Sequence, residues 1–171
     1  MRGRAPNVLA GVGFTAQGFD KGSGYARSEA SADPPVSWVF DGVKAGVGEV
    51  FGAEGPGLGG AAGDELDRAD VTLGTPAEAV VLASSVGHSE QISLVPEEID
   101  HSSAAPPPGI HPKVRADVVL FGRPGGGAVF SVGSIAWSTA MTHAGGDNHT
   151  ARITGNVLDR FRGTPGPVLG P

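Results

Sequence analysis

Residues 114–161 leave the chain few ways to fold. Residues 114–121 (VRADVVLF) and 128–137 (AVFSVGSIAW) are rich in β-branched and aromatic side chains, and the breaker cluster GRPGGG at 122–127 lies between them. That pattern predicts two strands joined by a hairpin turn. Asp147, Asn148 and Thr150 then offer capping oxygens, and Ile153, Val157, Leu158 and Phe161 recur at the spacing of one helical face. The chain is therefore expected to close with a docked helix.

Upstream, residues 7–15, 36–43 and 78–85 read as short apolar strands, the third continuous enough to be buried on both faces. Residues 92–95 suggest one more, and Pro96 can open a short helical turn over 96–101. Residues 18–24 read as a loop. Three consecutive prolines at 106–108 stop any helix before them. The order is strand-rich with one helix at the end, which fits either an α/β or an α+β arrangement.

Glycine and proline, 29 and 14 of 171 residues, cluster in 52–63, 104–112 and 163–171. Long loops within a small domain suggest surfaces that normally lie against other material. Residues 163–171 are expected to be a disordered tail. A net charge of -6 with scattered basic residues argues against nucleic acid as a partner. With no cysteine there is neither a disulfide framework nor a thiolate metal site, which suits a cytoplasmic protein. No apolar run is long enough for a bilayer-spanning helix, so no membrane partner is expected.

The densest polar group is DELDRAD at 64–70, after the small-residue run GGAAG at 59–63. Small residues let a backbone approach a ligand, and a carboxylate beside them can act as general base if burial raises its pKa. A solvated acidic loop explains the same residues. The spacing lacks the ligand alternation of an EF-hand. Histidines 88, 101, 111, 143 and 149 form no metal-spaced pair; His88 reads as a surface or loop-stabilising residue, and His143 and His149 can each face a pocket, although capping by Asp147 or Asn148 explains their loop. Ser134 and Ser138 have no His-Asp pattern beside them, although Trp137 can line a small apolar pocket. Gly11-Val-Gly13 and Gly125 to Gly127 lack the residues that complete nucleotide-binding loops.

The wording GVGFTAQGFD, AAGDELDRADVTLGTP, GGAVFSVGSIAW, DN and RITGNVLDRF, spread over about residues 8–162, resembles the C-terminal end of the large (beta) subunit of the N,N-dimethylformamidase family. The resemblance implies a class I glutamine amidotransferase-like α/β fold, with residues 1–162 as a portion of that domain and the chain as a truncated piece. It implies hydrolysis of the C–N bond of N,N-dimethylformamide or a similar small amide to formate and an amine. Glu65 falls on a family glutamate with an active-site role, and Trp137 and Asn148 become candidate walls of the substrate pocket. Iron is the family's cofactor, held by two tyrosines and a glutamate. Tyr25 is the one tyrosine of this chain, so no bound iron and no independent catalysis are expected. The implied partners are the rest of the large subunit and a small alpha subunit. The alternative is a non-catalytic scaffold derived from the same domain. A piece of this kind is also expected to associate through exposed apolar strand edges.

Overall fold

A helix, not a strand, is the first element among the described residues. In the computed structural model, which describes residues 5–56, 59–99, 110–163 and 169, α1 is Asn7–Ala10 and stops at Gly11, whose φ of 77° suits glycine. The side-chain amide of Asn7 fixes this turn by donating to the carbonyl of Arg68 and to Oγ1 of Thr75. Strand β1 (Gly13–Ser23) follows. The strand expected over 7–15 is thus split, and the loop expected over 18–24 is mostly strand. The expected tail, the triproline run and His101 lie outside the described residues, apart from Gly163 and Leu169 at the tail.

β1 extends so far because it has a long partner. It pairs antiparallel with β4 (Ala62–Arg68), the segment that reads as an acidic loop, from Gly13↔Arg68 to Ser23↔Ala62. A strand sends alternate side chains to opposite faces, so Leu66 is buried while Glu65 points to solvent. Charge density alone does not reveal this. β6 (Ser93–Leu94) pairs on the other side of β1, giving the sheet order β4-β1-β6.

The second sheet runs β3-β2-β5-β7-β8, comprising β2 (Tyr25–Arg27), β3 (Val50–Phe51), β5 (Val80–Ser85), β7 (Asp117–Gly122) and β8 (Ala128–Ser131). β7 and β8 are the expected hairpin, with Leu120↔Phe130 and Gly122↔Ala128 opposed. β5 falls where expected, and β7 is buried on both faces. Its Val118 and Leu120 enter the main core, while Val119 and Phe121 enter a smaller one with Val12. Gly24 alone links β1 to β2 and carries the chain from one sheet to the other. A Cβ there would stand 2.6 Å from the Phe51 carbonyl oxygen.

All described strand pairings are antiparallel. Among them only β7 and β8 are consecutive strands joined by a short turn. The described residues thus form an α+β arrangement, strand-rich with a C-terminal helix, instead of alternating parallel strands and helices.

Two other expected strands change form. Residues 36–43 contain a 3-10 turn, Ser37–Phe40, closed by local bonds such as Val39 N–H to the Val36 carbonyl. The strand expected over 128–137 ends at Ser131. Gly133 then turns the chain at φ 67°, where a Cβ would lie 2.6 Å from the Asp67 carbonyl oxygen, and α2 (Ala136–Ala140) follows.

The closing helix α3 is His149–Gly163. Asn148 caps it, its Oδ1 accepting from the Ala151 N–H at 2.9 Å and from the Thr150 hydroxyl at 2.5 Å. Asn156 Nδ2 docks the helix by donating to the carbonyls of Val39 and Asp41, each at 2.9 Å. Ile153 and Val157 are buried and Phe161 packs at the core margin, but Leu158 is 59% exposed. Four apolar residues suggested the inward face, and the bond from Asn156 rotates one of them outward. Ile153→Ala is expected to cost about 3 kcal/mol and Leu158→Ala no more than about 0.5 kcal/mol in urea unfolding. Equal losses would contradict this docking.

Candidate functional site

Glu65 stands on the outward face of the β4-β1-β6 sheet. The inward face of that sheet is set by Ala16, Leu66 and Leu94, which pack in the main core. A bulge between Phe14 and Ala16 lets both Thr15 and Ala16 turn inward. Phe14 before it and Gln17 after it are exposed, as are Phe19 and Lys21 in the stretch after Gly18 where β1 leaves register with β4. Glu65 lies opposite Gln17, and Asp67 opposite Phe14. The structure therefore presents the Glu65 carboxylate on an open surface, not inside a pocket.

Asp67 shares that face and is half-buried. Its backbone N–H donates to the Gly133 carbonyl at 2.7 Å, which fixes β4 against the turn before α2. Burial, reinforced by the neighbouring Glu65 carboxylate, pushes its carboxyl from about 3.8 up to about 6. Two carboxylates two residues apart on one strand thus differ in environment. That is the physical requirement for dividing acid and base work between them. Sequence reading passed over Asp67, and the signal available was its i, i+2 relation to Glu65.

Trp137 and Asn148 are held by the fold itself. Trp137 is buried on α2, meets Tyr25 and Phe51 edge-on at 5.5 and 6.2 Å between ring centroids, and donates from Nε1 to Thr154 Oγ1 at 3.0 Å. Asn148, besides capping α3, donates to the carbonyls of Met141 and His143. It also borders a cleft of about 530 Å³ between β3 and the start of α3, shared with Lys44, Glu54, His143, His149 and Arg152. His143 Nε2 lies 3.4 Å from a Glu54 carboxylate oxygen there. The cleft receives Asn148 but neither Glu65 nor Trp137, so the three expected site residues do not converge on it.

Several polar groups are buried in ways the sequence did not signal. Arg68 donates to Thr15 Oγ1 at 3.1 Å, to Asp70 at 2.6 Å and to Glu98 at 2.8 Å, and Lys113 joins Glu98 at 3.1 Å. At Asp70 burial opposes ionisation, but hydrogen bonds from Thr72 and Arg68 overcome it and hold the carboxyl down at about 2. Asp117, fully buried, accepts from the Ala69 N–H, the Ser84 hydroxyl and Arg115 Nε. His88 is buried and meets Ser85 Oγ at 2.6 Å and Ser23 Oγ at 3.3 Å. Burial lowers its pKa and favours the neutral ring. Its loop-stabilising reading holds; a surface position does not.

Among the described residues no group of three or more His, Asp and Glu side chains is placed to hold a metal ion. Tyr25 is fully buried and donates its hydroxyl to the Val132 carbonyl at 2.6 Å. The family's tyrosine-glutamate iron set does not fit this chain's own residues. Among the described residues no helix is long and apolar enough to cross a membrane.

A family model described as N,N-dimethylformamidase beta subunit-like, C-terminal, matches residues 1–151. The N,N-dimethylformamidase beta subunit of Paracoccus aminophilus is 37% identical over 169 residues, covering 98% of this chain and 22% of that subunit. The corresponding subunit of an Alcaligenes species is 37% identical over 164 residues, covering 94% of this chain and 21% of its own. The chain spans about a fifth of the length of these curated relatives.

The Asp67 carboxyl makes a pH prediction. Its folded pKa is raised, so its contribution to stability is fully present below about pH 4 and is lost as pH rises through about 6. Relative to the parent chain, Asp67→Asn is expected to gain stability between pH 4 and 7 and to level off above. A difference in melting temperature that stays constant over that range would mean Asp67 titrates normally.

Proposed function

Because the chain belongs to the N,N-dimethylformamidase beta subunit-like, C-terminal family, we propose that it is one portion of an amide hydrolase. The reaction in the whole enzyme is cleavage of the C–N bond of N,N-dimethylformamide or a similar small amide to formate and an amine. The observation that carries this reading is the relation to two N,N-dimethylformamidase beta subunits across nearly all of the chain. Its proposed partners are the remainder of a large subunit and a small alpha subunit, in the cytoplasm.

Within that assembly Glu65 is the proposed general base. Its carboxylate is fixed by the β1–β4 register yet free on the surface, which suits a group that receives water and substrate from a neighbouring body. Asn148 and Trp137 are proposed to shape pocket walls through the segments they hold, not as freely mobile side chains. Iron in the assembly is assigned to residues outside this chain, since Tyr25 is committed to the core. A class I glutamine amidotransferase-like fold is proposed for the larger domain, in which this antiparallel portion is one part.

A second reading, a scaffold without catalytic residues, draws on the structural duties of Trp137 and Asn148. The two readings separate experimentally. The isolated chain supplied with ferrous iron is expected to release no dimethylamine from dimethylformamide. Glu65→Gln in a complete large subunit is expected to lower kcat by about a hundredfold or more with little change in KM. Unchanged turnover would leave the scaffold reading standing.

A further inference from the structure

Phe14 and Phe19 are out of place on the outward face of the β4-β1-β6 sheet. They are 44% and 81% exposed on the same side of β1, while Ala16, Leu66 and Leu94 on the opposite side are packed in the core. Gln17 and Lys21 continue the row, and Glu65 lies across from Gln17. Such a surface is apolar at two ring-sized points and carries one cation, Lys21, and two carboxylates, Glu65 and the half-buried Asp67.

We propose that this face is covered by the remainder of an N,N-dimethylformamidase-type beta subunit. The inference rests on the family reading above and adds to it which surface is used. The two beta subunits related to this chain extend well beyond the part it matches, since that part is only 22% and 21% of their lengths. About four-fifths of each relative is therefore polypeptide available to cover the portion that is this chain's counterpart. The β1–β4 ladder holds Phe14 opposite Asp67, which reduces the ordering cost of docking that ring, and Phe19 projects from the stretch after Gly18 where β1 leaves register with β4. The covering surface needs two apolar recesses for Phe14 and Phe19 and an acceptor for Lys21, and it must leave room for water and substrate at Glu65.

Hydroxyl-radical footprinting tests this with the free 171-residue chain and with a chimera in which the chain replaces its matching part of the Paracoccus aminophilus beta subunit. Phe14 and Phe19 are expected to oxidise at least tenfold more slowly in the chimera than in the free chain. Phe19→Lys is expected to leave the free chain's melting temperature unchanged but to open β1 to proteolysis in the chimera. Equal oxidation of both rings in the two proteins overturns the proposal. So does a free chain that sediments as a dimer with Phe19 protected and is dissociated by Phe19→Lys, because the occupant would then be a second copy. If the chimera does not fold, hydrogen exchange on the intact relative decides, and fast exchange in its strand aligned with β1 counts against docking. Dimethylformamide hydrolysis is measured in parallel. Protection without hydrolysis sinks the hydrolase reading and leaves the docking face, whereas hydrolysis with exposed rings does the reverse.

Discussion

Tyr25 gathers the five-stranded sheet, α2 and the turn after β8 around one ring. It follows the single-residue corner at Gly24, stacks on Phe51 with ring centroids 5.9 Å apart, meets Trp137 edge-on and gives its hydroxyl proton to the Val132 carbonyl. Those contacts bring β2, β3, α2 and the segment after β8 onto one ring. Phe40 extends the cluster by an edge contact with Phe51 at 5.8 Å, and the Arg27 guanidinium lies 4.2 Å from the centre of the Phe40 ring. Burial first, and then the Asp117 and Asp67 carboxylates, hold the phenol well above its ordinary pKa, so it stays a donor. The sheets themselves meet in the main core, where Ala16 and Leu66 pack with Leu82, Val118 and Leu120, and through the Ala69 N–H bond to Asp117.

Around that aromatic centre the fold buries an unusual amount of polarity for so small an apolar core. Asp117 and Arg68 are acceptable inside because each is surrounded by partners, and removal of one partner would leave a charge uncompensated. Among the described residues no buried side-chain nitrogen or oxygen lacks a hydrogen bond. These networks position the site indirectly. The Asp117 carboxylate holds Ala69 just beyond β4, and the Thr15 hydroxyl accepts from Arg68 across the same ladder. The register that sets Glu65 and Asp67 on one face is thereby locked at its end.

The candidate site is divided accordingly. A carboxylate pair sits on an open sheet face, and a separate cleft opens at the start of α3 beside Asn148. Trp137 lies in the core that connects them. A chain matching about a fifth of its relatives' length offers a rigid frame with exposed chemistry, and its function depends on what approaches that frame.

The sequence by itself determined the β7–β8 hairpin, the central strand β5, the capped closing helix and the family. Each of these depends on local signals: a glycine cluster, a continuous β-branched run, an asparagine before an apolar period. Only the tertiary structure decided that residues 62–68 are a strand, because their hydrophilic face becomes legible only once β1 supplies a ladder. It also turned Leu158 outward through the Asn156 bonds to another segment. It made 36–43 a 3-10 turn, and it placed Asn148, Trp137 and Glu65 apart. Apart from that turn, which bonds within it close, partners distant in the chain set these outcomes. Long-range hydrogen bonding and burial determine which face of an element is inside, and neither is written in the local pattern.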